Sequence, residues 1–305
     1  MDRLARYAWI VLGFTLLVIV WGAYVRASGS GAGCGRHWPL CNGAVLPRTP
    51  TVATWVELSH RVSSGLALAL VLGLWVGARL ARPAGHPVRR AATAAVLFMV
   101  VEAGIGAALV LLSLVGGDAS LRRAVVLALH LLNTFLLLAA LALCACWASG
   151  GRPPSPRERR VWLVLPALLG TAVVSCAGAV TALGDTLFPA RSLAEGLYQD
   201  LSPTAHLLIR LRLWHPVLAL ATGLYLVPAA SLLAATLDRT GAALARTAVL
   251  LYLAQLGAGV VNLALLAPIW MQLVHLGLAD LTWIALVLLA AGVDSRPRAA
   301  MVCPA

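Results

Sequence analysis

Eight stretches of this chain run for roughly twenty residues almost without charge, the length that crosses the hydrocarbon core of a bilayer as a helix. They lie at about 8–27, 55–79, 91–115, 123–148, 160–182, 209–235, 244–267 and 271–292. In lipid a backbone amide has no water to bond, so each stretch is expected to close its own hydrogen bonds as a transmembrane α-helix. Only 11% of the residues are charged and 61% are hydrophobic, whereas soluble domains carry about 25% charged residues. A net charge of +12 would suit nucleic acid, but all 23 basic residues are arginines in short runs between the apolar stretches. That is how topology signals are distributed, and nucleic acid is not an expected partner. The first stretch, Ala8 to Val25, has no small-residue cleavage site and is read as a span, not a cleaved leader.

An even number of spans puts both termini on one side. Fourteen arginines fall there, among them Arg3, Arg79, Arg152, Arg157, Arg296 and Arg298, against nine on the other. The excess predicts a multi-pass protein of the cell membrane with both termini cytoplasmic. The connection at Ala267 to Trp270 is so short that the last two helices must turn sharply.

The halves resemble each other. The first span ends in Gly22-Ala23-Tyr24-Val25-Arg26 and the fifth in Gly178-Ala179-Val180-Thr181. Glu102-Ala103-Gly104-Ile105-Gly106-Ala107 in the third span has a relative in Ala254-Gln255-Leu256-Gly257-Ala258-Gly259 in the seventh. The second, fourth, sixth and eighth spans carry His60, His130, His215 and His275, so the first histidines are offset by 155 residues and the second by 145. The expected architecture is all-α, eight transmembrane helices forming two pseudo-symmetric four-helix bundles, 1–150 and 151–305.

An ionisable side chain inside a membrane costs a few kcal/mol unless it has a partner. All four histidines lie near the outer ends of helices that enter from the same face, hence at similar depth. Two imidazoles on facing helices can ligate a haem iron from opposite sides. The economical reading is a bis-histidine haem in each half, His60 with His130 and His215 with His275. Membrane histidines also bond between helices or line proton paths, but four at repeated positions favour the metal. Zinc and copper sites often add cysteines or paired carboxylates that are not supplied here. Arg61, Arg210 and Arg212 flank the histidines and suit haem propionates, although such arginines also snorkel to the interface.

Of the six cysteines, Cys144, Cys146 and Cys176 lie in apolar segments and Cys303 in the tail. Cys34 and Cys41 share a polar outer loop and are the disulfide candidate, a staple or a redox or haem-handling pair. Glu57 lies one helical turn before His60, placed to bond a haem or to move protons. Glu102 and Asp280 are intramembrane acids, either helix contacts or parts of a proton route. Asn133 and Asn262 are expected to bond between helices. Trp55, Trp214 and Trp283 suit the interfacial belt or a porphyrin face.

The Gly22-Ala23-x-Val25-Arg26 exit, the loop Gly29-Ser30-Gly31-Ala32-Gly33-Cys34 with Trp38-Pro39 and Cys41, Glu57-x-x-His60-Arg61, the Gly106-Ala107 segment, and His130, His215 and His275 together resemble haem A synthase. The likeness spans nearly the whole chain, and the cysteine loop followed by Glu-x-x-His-Arg is its specific part. It implies oxidation of the C8 methyl of haem O to a formyl group through hydroxylated intermediates. It implies substrate haem O in the first half, at His60, His130 and Arg61 with Glu57 catalytic, and a haem B cofactor in the second, at His215, His275 and Arg212. Implied partners are haem O and haem A, a haem O synthase, cytochrome oxidase assembly factors, membrane lipid and a second copy of the chain. Some relatives carry a second cysteine pair between the fifth and sixth spans; Asp185 to Leu208 has none here. Arg212 stands where the first half has Glu57. The competing functions are a di-haem cytochrome b that passes electrons from quinol, and a haem carrier without chemistry.

Overall fold

The computed structural model describes residues 2–151, 153–154 and 158–292. Arg152, Arg157, Arg296 and Arg298 of the charge count, and Cys303, lie outside the described residues. The helices are α1 (Arg3–Ala27), α2 (Val52–Ala81), α3 (Pro87–Leu111), α4 (Leu121–Ala148), α5 (Arg159–Leu187), α6 (Leu193–Leu201), α7 (Leu207–Arg210), α8 (Trp214–Thr236), α9 (Arg239–Ala264) and α10 (Ile269–Ala291). Eight helical stretches among them are long and apolar enough to cross a membrane, α7 and α8 joining through a 3₁₀ turn into one.

Local chemistry sets the boundaries. Asp2 caps α1 by accepting from Ala5 N–H and pairs with Arg82 at the end of α2. A helix start needs such an acceptor for its free amides, so α1 begins five residues before the apolar run. Thr51 and Thr54 form a capping box on α2, Pro87 opens α3 behind His86, and Asp238 caps α9. The sixth span is not one uniform helix: residues 211–213 tighten to 3₁₀. Pro216 explains this, because its missing N–H and its ring exclude an α-helical bond to Arg212 carbonyl. The fifth span runs on to Leu187, past the expected 182, because the outer segment of the sixth packs against its Gly184. The sharp turn after α9 is present, with Leu266 at φ 60° and Ala267 at φ 54°. Ala267 N–H donates to Asn262 carbonyl at 2.7 Å and Gln272 to Ala267 carbonyl at 2.7 Å.

Helices α1, α2, α3 and α4 touch in a ring, as do α5, α8, α9 and α10. Between the two sets run contacts of α4 with α5 and α10, and of α1 with α10 and α5. Lipid is as apolar as leucine, so close packing and interhelical hydrogen bonds hold such helices together. Small buried residues provide the packing: Ala5 and Ala8 on α1, Ala91, Ala92 and Ala95 on α3, Ala142 and Ala145 on α4. Trp283 is not in the interfacial belt. It stacks on Phe135 with centroids 4.7 Å apart and donates to Phe135 carbonyl at 2.6 Å, joining α10 to α4. Trp55 and Trp214 are more than half exposed near the outer helix ends, as belt residues are. At the outer end of the same seam Arg26 donates to Ala182 carbonyl, Thr186 Oγ1 and Gln272 Oε1, at 2.9, 3.0 and 2.9 Å.

Candidate functional site

In the second half His215 of α8 and His275 of α10 face each other. Their ring centroids are 6.0 Å apart with planes at 88°. An imidazole nitrogen sits about 2 Å from a metal it ligates, which puts rings on opposite sides of one ion roughly 6 Å apart. His215 Nδ1 lies 3.0 Å from Val174 carbonyl on α5. With the proton on that nitrogen, Nε2 keeps its lone pair for a ligand. A methyl group on Gly178 would lie 2.9 Å from the His215 ring, and one on Gly259 3.2 Å from the His275 ring. The two glycines leave the space that the rings occupy.

The first half repeats part of this plan. The His60 ring lies against Gly22 of α1, where an added Cβ would be 2.8 Å away. His130 of α4 meets α3 at Glu102, with Nδ1 3.3 Å from Oε1. That contact is within ion-pair reach but off the line of a hydrogen bond, and Nδ1 of His60, His130 and His275 are buried without a hydrogen-bond partner. Imidazole rings at this depth that the protein leaves short of partners are what a metal group would complete. Among the described residues no group of three or more His, Cys, Asp or Glu could hold a bare ion. A facing pair of imidazoles such as His215 and His275 fits a metal that brings its own equatorial ligands, as haem iron does.

Around these rings the two outer loops are anchored differently. Cys34 and Cys41 are joined by a disulfide. Glu57, buried, accepts from Cys34 N–H at 2.8 Å and from Arg61 at 2.5 Å. Arg61 also donates to the carbonyls of His37 and Leu40, at 2.6 and 2.7 Å. Gly33 lies so close to the start of α2 that a Cβ would come 2.4 Å from Ala53 carbonyl. The loop is thus clamped over the outer end of α2, one turn from His60. In the cysteine-free loop Arg212 takes over: it donates to Asp200 at 2.8 Å, to Asp185 at 3.1 Å and to Gln199 at 3.4 Å. Glu57 and Arg212 hold matching positions and both tie down an outer loop, with opposite charge. Arg61 and Arg212 therefore bond to protein groups, and Arg210 is exposed.

The model of the cytochrome oxidase assembly protein family, COX15-CtaA, matches residues 5–287. The chain belongs to this family. Family membership and the eight apolar helices make it a multi-pass membrane protein. Two proteins named protoheme IX farnesyltransferase, from two strains of Thermus thermophilus, are each 50% identical over 97% of this chain and 49% of their own length. A protein named heme A synthase in Alkalihalophilus pseudofirmus is 34% identical over 144 residues, 47% of this chain and 45% of that protein. The chain spans about half the length of the curated relatives it matches.

In this cytochrome oxidase assembly family member the polar residues left open by the sequence now have places. Asn133 bonds between helices, to Phe98 carbonyl at 2.9 Å and Glu102 Oε2 at 2.6 Å. Asn262 does not: its Oδ1 is buried without a partner. Asp280 is fully buried beside the seam between the halves and neither oxygen has a hydrogen-bond partner. Glu102 is the residue whose place at a histidine the sequence left undecided. Its signal was present in the repeat, where Glu102 precedes Gly104 and Gly106 as Gln255 precedes Gly257 and Gly259. Gln255 Nε2 lies 3.4 Å from His275 Nε2, so each half sets one side chain of this position against its second histidine.

Proposed function

We propose that the chain is a haem A synthase, an oxidoreductase that converts the C8 methyl of haem O to a formyl group. The observation that carries this reading is the facing pair His215 and His275 in one half, with a chemically different pair in the other. Residues 151–305 would hold haem B between His215 and His275, and residues 1–150 would take haem O at His60 and His130. Haem B supplies one-electron chemistry when bound. His215, with Nδ1 turned to Val174 carbonyl, presents Nε2. Gly22 and Gly178 let His60 and His215 approach their neighbouring helices. Glu57 and Arg61 hold the disulfide loop as a lid over the His60 end, which would exclude water from the substrate. Glu57 is also the candidate for proton movement at the reacting methyl, one turn from His60. Arg61 and Arg212 would reach propionates only by exchanging bonds they now make to the loops. Topology signals support a cell-membrane protein with cytoplasmic termini, working beside a haem O synthase and oxidase assembly factors.

The name of the Thermus relatives favours a second reading, farnesyl transfer to haem. Transfer from a prenyl diphosphate needs a Mg²⁺ site of carboxylates and phosphates. Among the described residues the neighbouring outer acids, Asp185 and Asp200, are both bonded to Arg212. That reading also leaves four membrane histidines without a task. We assign the farnesyl-transfer name to the portion of those relatives that this chain does not span.

The test is pigment analysis. The chain, expressed beside a haem O synthase in a host without haem A, should yield haem A. His60→Ala and His130→Ala should leave haem O with haem B still bound. Persistent haem O in the unaltered protein would favour an electron-transfer or carrier role, and new farnesylated haem without the synthase would favour the second reading.

A further inference from the structure

Glu102 has surroundings that its repeat partner lacks. One turn beyond His130, on the same helix, Asn133 donates to Glu102 Oε2 at 2.6 Å and Thr134 Oγ1 donates to Glu102 Oε1. Thr134 Oγ1 also lies 3.0 Å from His130 carbonyl. The carboxylate is therefore fixed from two sides with Oε1 turned to His130 Nδ1, 3.3 Å away. Shifted by the 145-residue offset of the repeat, Asn133 and Thr134 become Leu278 and Ala279. Gln255 stands against His275 without that support, and its Oε1 is buried with no partner. One half thus sets a braced carboxylate at Nδ1 of its second histidine, and the other a loosely held carboxamide at Nε2.

A carboxylate on the far nitrogen of a ligating imidazole fixes the ring and makes it a stronger donor. Hydrogen bonding and buried charge around an axial ligand are levers on haem potential. A stronger anionic donor stabilises the ferric over the ferrous state and lowers the potential; a neutral amide does so less.

We propose that Glu102 is a positioning residue that sets the potential of the haem ligated by His130 below that of the haem between His215 and His275. This rests on the haem-binding reading above. Asn133 and Thr134 keep the carboxylate within ion-pair reach of Nδ1, which leaves Nε2 for the iron. The ordering suits a site whose substrate is to be oxidised beside one that only relays electrons. The matching residue of the other half is no such brace, because Gln255 lies 3.4 Å from Nε2 of His275 and not from its Nδ1.

The test is an anaerobic spectroelectrochemical titration of the full-length protein with both haems bound, assigned by repeating it in His275→Ala. The expected result is a lower midpoint for the haem on His130. Glu102→Gln keeps the size and the Thr134 bond. It should raise that midpoint by about 59 mV, a tenfold change in the reduced-to-oxidised ratio, and leave the other haem unmoved. Bound haem with an unmoved midpoint in Glu102→Gln, or equal shifts of both haems, overturns the proposal. If Glu102→Gln holds no haem in the first half, Thr134→Val, which removes the bond that holds Oε1, is read in its place, and an unmoved midpoint there overturns the proposal. An unaltered protein without a bis-histidine spectrum from the first half refutes the haem-binding reading itself, and this proposal falls with it.

Discussion

Gly178 offers a one-methyl test of the histidine geometry. The substitution is Gly178→Ala. The new Cβ would stand 2.9 Å from His215 Cε1 and 3.3 Å from Nδ1, under the separation that carbon atoms tolerate. Either the ring swings away or α5 and α8 separate. Swinging the ring stretches the 3.0 Å contact of Nδ1 with Val174 carbonyl, which costs about 1 kcal/mol for a lost hydrogen bond. Overpacking of a tight contact costs a further 1–3 kcal/mol or so. Alanine gains roughly 0.5–1 kcal/mol over glycine inside a helix. The net expectation is a loss of about 1–3 kcal/mol, concentrated on the ring proposed to meet the metal. Gly65→Ala is the control, because an added Cβ there meets nothing within 4 Å. It should be neutral or slightly stabilising. The assay is haem B per purified protein together with the thermal midpoint in detergent. Gly178→Ala should lower the haem content well before the helices unfold, while Gly65→Ala retains it. Full haem content and an unchanged midpoint in Gly178→Ala would refute the close approach of His215 to α5 and the ligand geometry drawn from it.

The two outer loops give further tests. Arg212→Ala leaves Asp185 and Asp200 without the cation that bonds them both, and all three are largely buried. The cost should be about 3 kcal/mol, the low end for breaking a buried pair because both acids keep some exposure. It would be read as a lower thermal midpoint and faster proteolysis within 188–206, and an unchanged cleavage rate would count against the anchor. Replacing Cys34 and Cys41 together by Ser opens a short loop closure worth roughly 2–3 kcal/mol. A lower midpoint with haem A production retained marks a staple, and loss of production at temperatures below unfolding marks a redox or haem-handling pair.

Spans were legible because lipid leaves the backbone few choices: charge-free length alone locates eight helices. Their ends were less so. Asp2 and Thr51 extend helices beyond the apolar runs by capping them, and Pro216 breaks a continuous apolar pattern into α7, a 3₁₀ turn and α8. The histidine positions were legible through the repeat, and the structure adds the facing rings of His215 and His275. What the sequence left undecided were pairings across helices. Nothing in one dimension says that Arg212 gathers Asp185 and Asp200, that Glu57 turns to the Cys34 amide, or that Trp283 is buried against Phe135. Those depend on which face of each helix meets which neighbour.

The asymmetry between the halves carries more of the functional reading than their likeness. Matched residues of the two halves are replaced in opposite chemical senses. Here the outer anchor is Glu57 in one half and Arg212 in the other. The residue on the second histidine is Glu102 in one half and Gln255 in the other. The two carboxylates fall in the same half, one outside His60 and one behind His130, and that half also has the disulfide lid. Acids that can bond a substrate or tune its ligand are useful where a group must be oxidised, and superfluous where a cofactor stays in place. Replacing Glu102 by Gln should therefore narrow the gap between the two haem potentials without removing either haem.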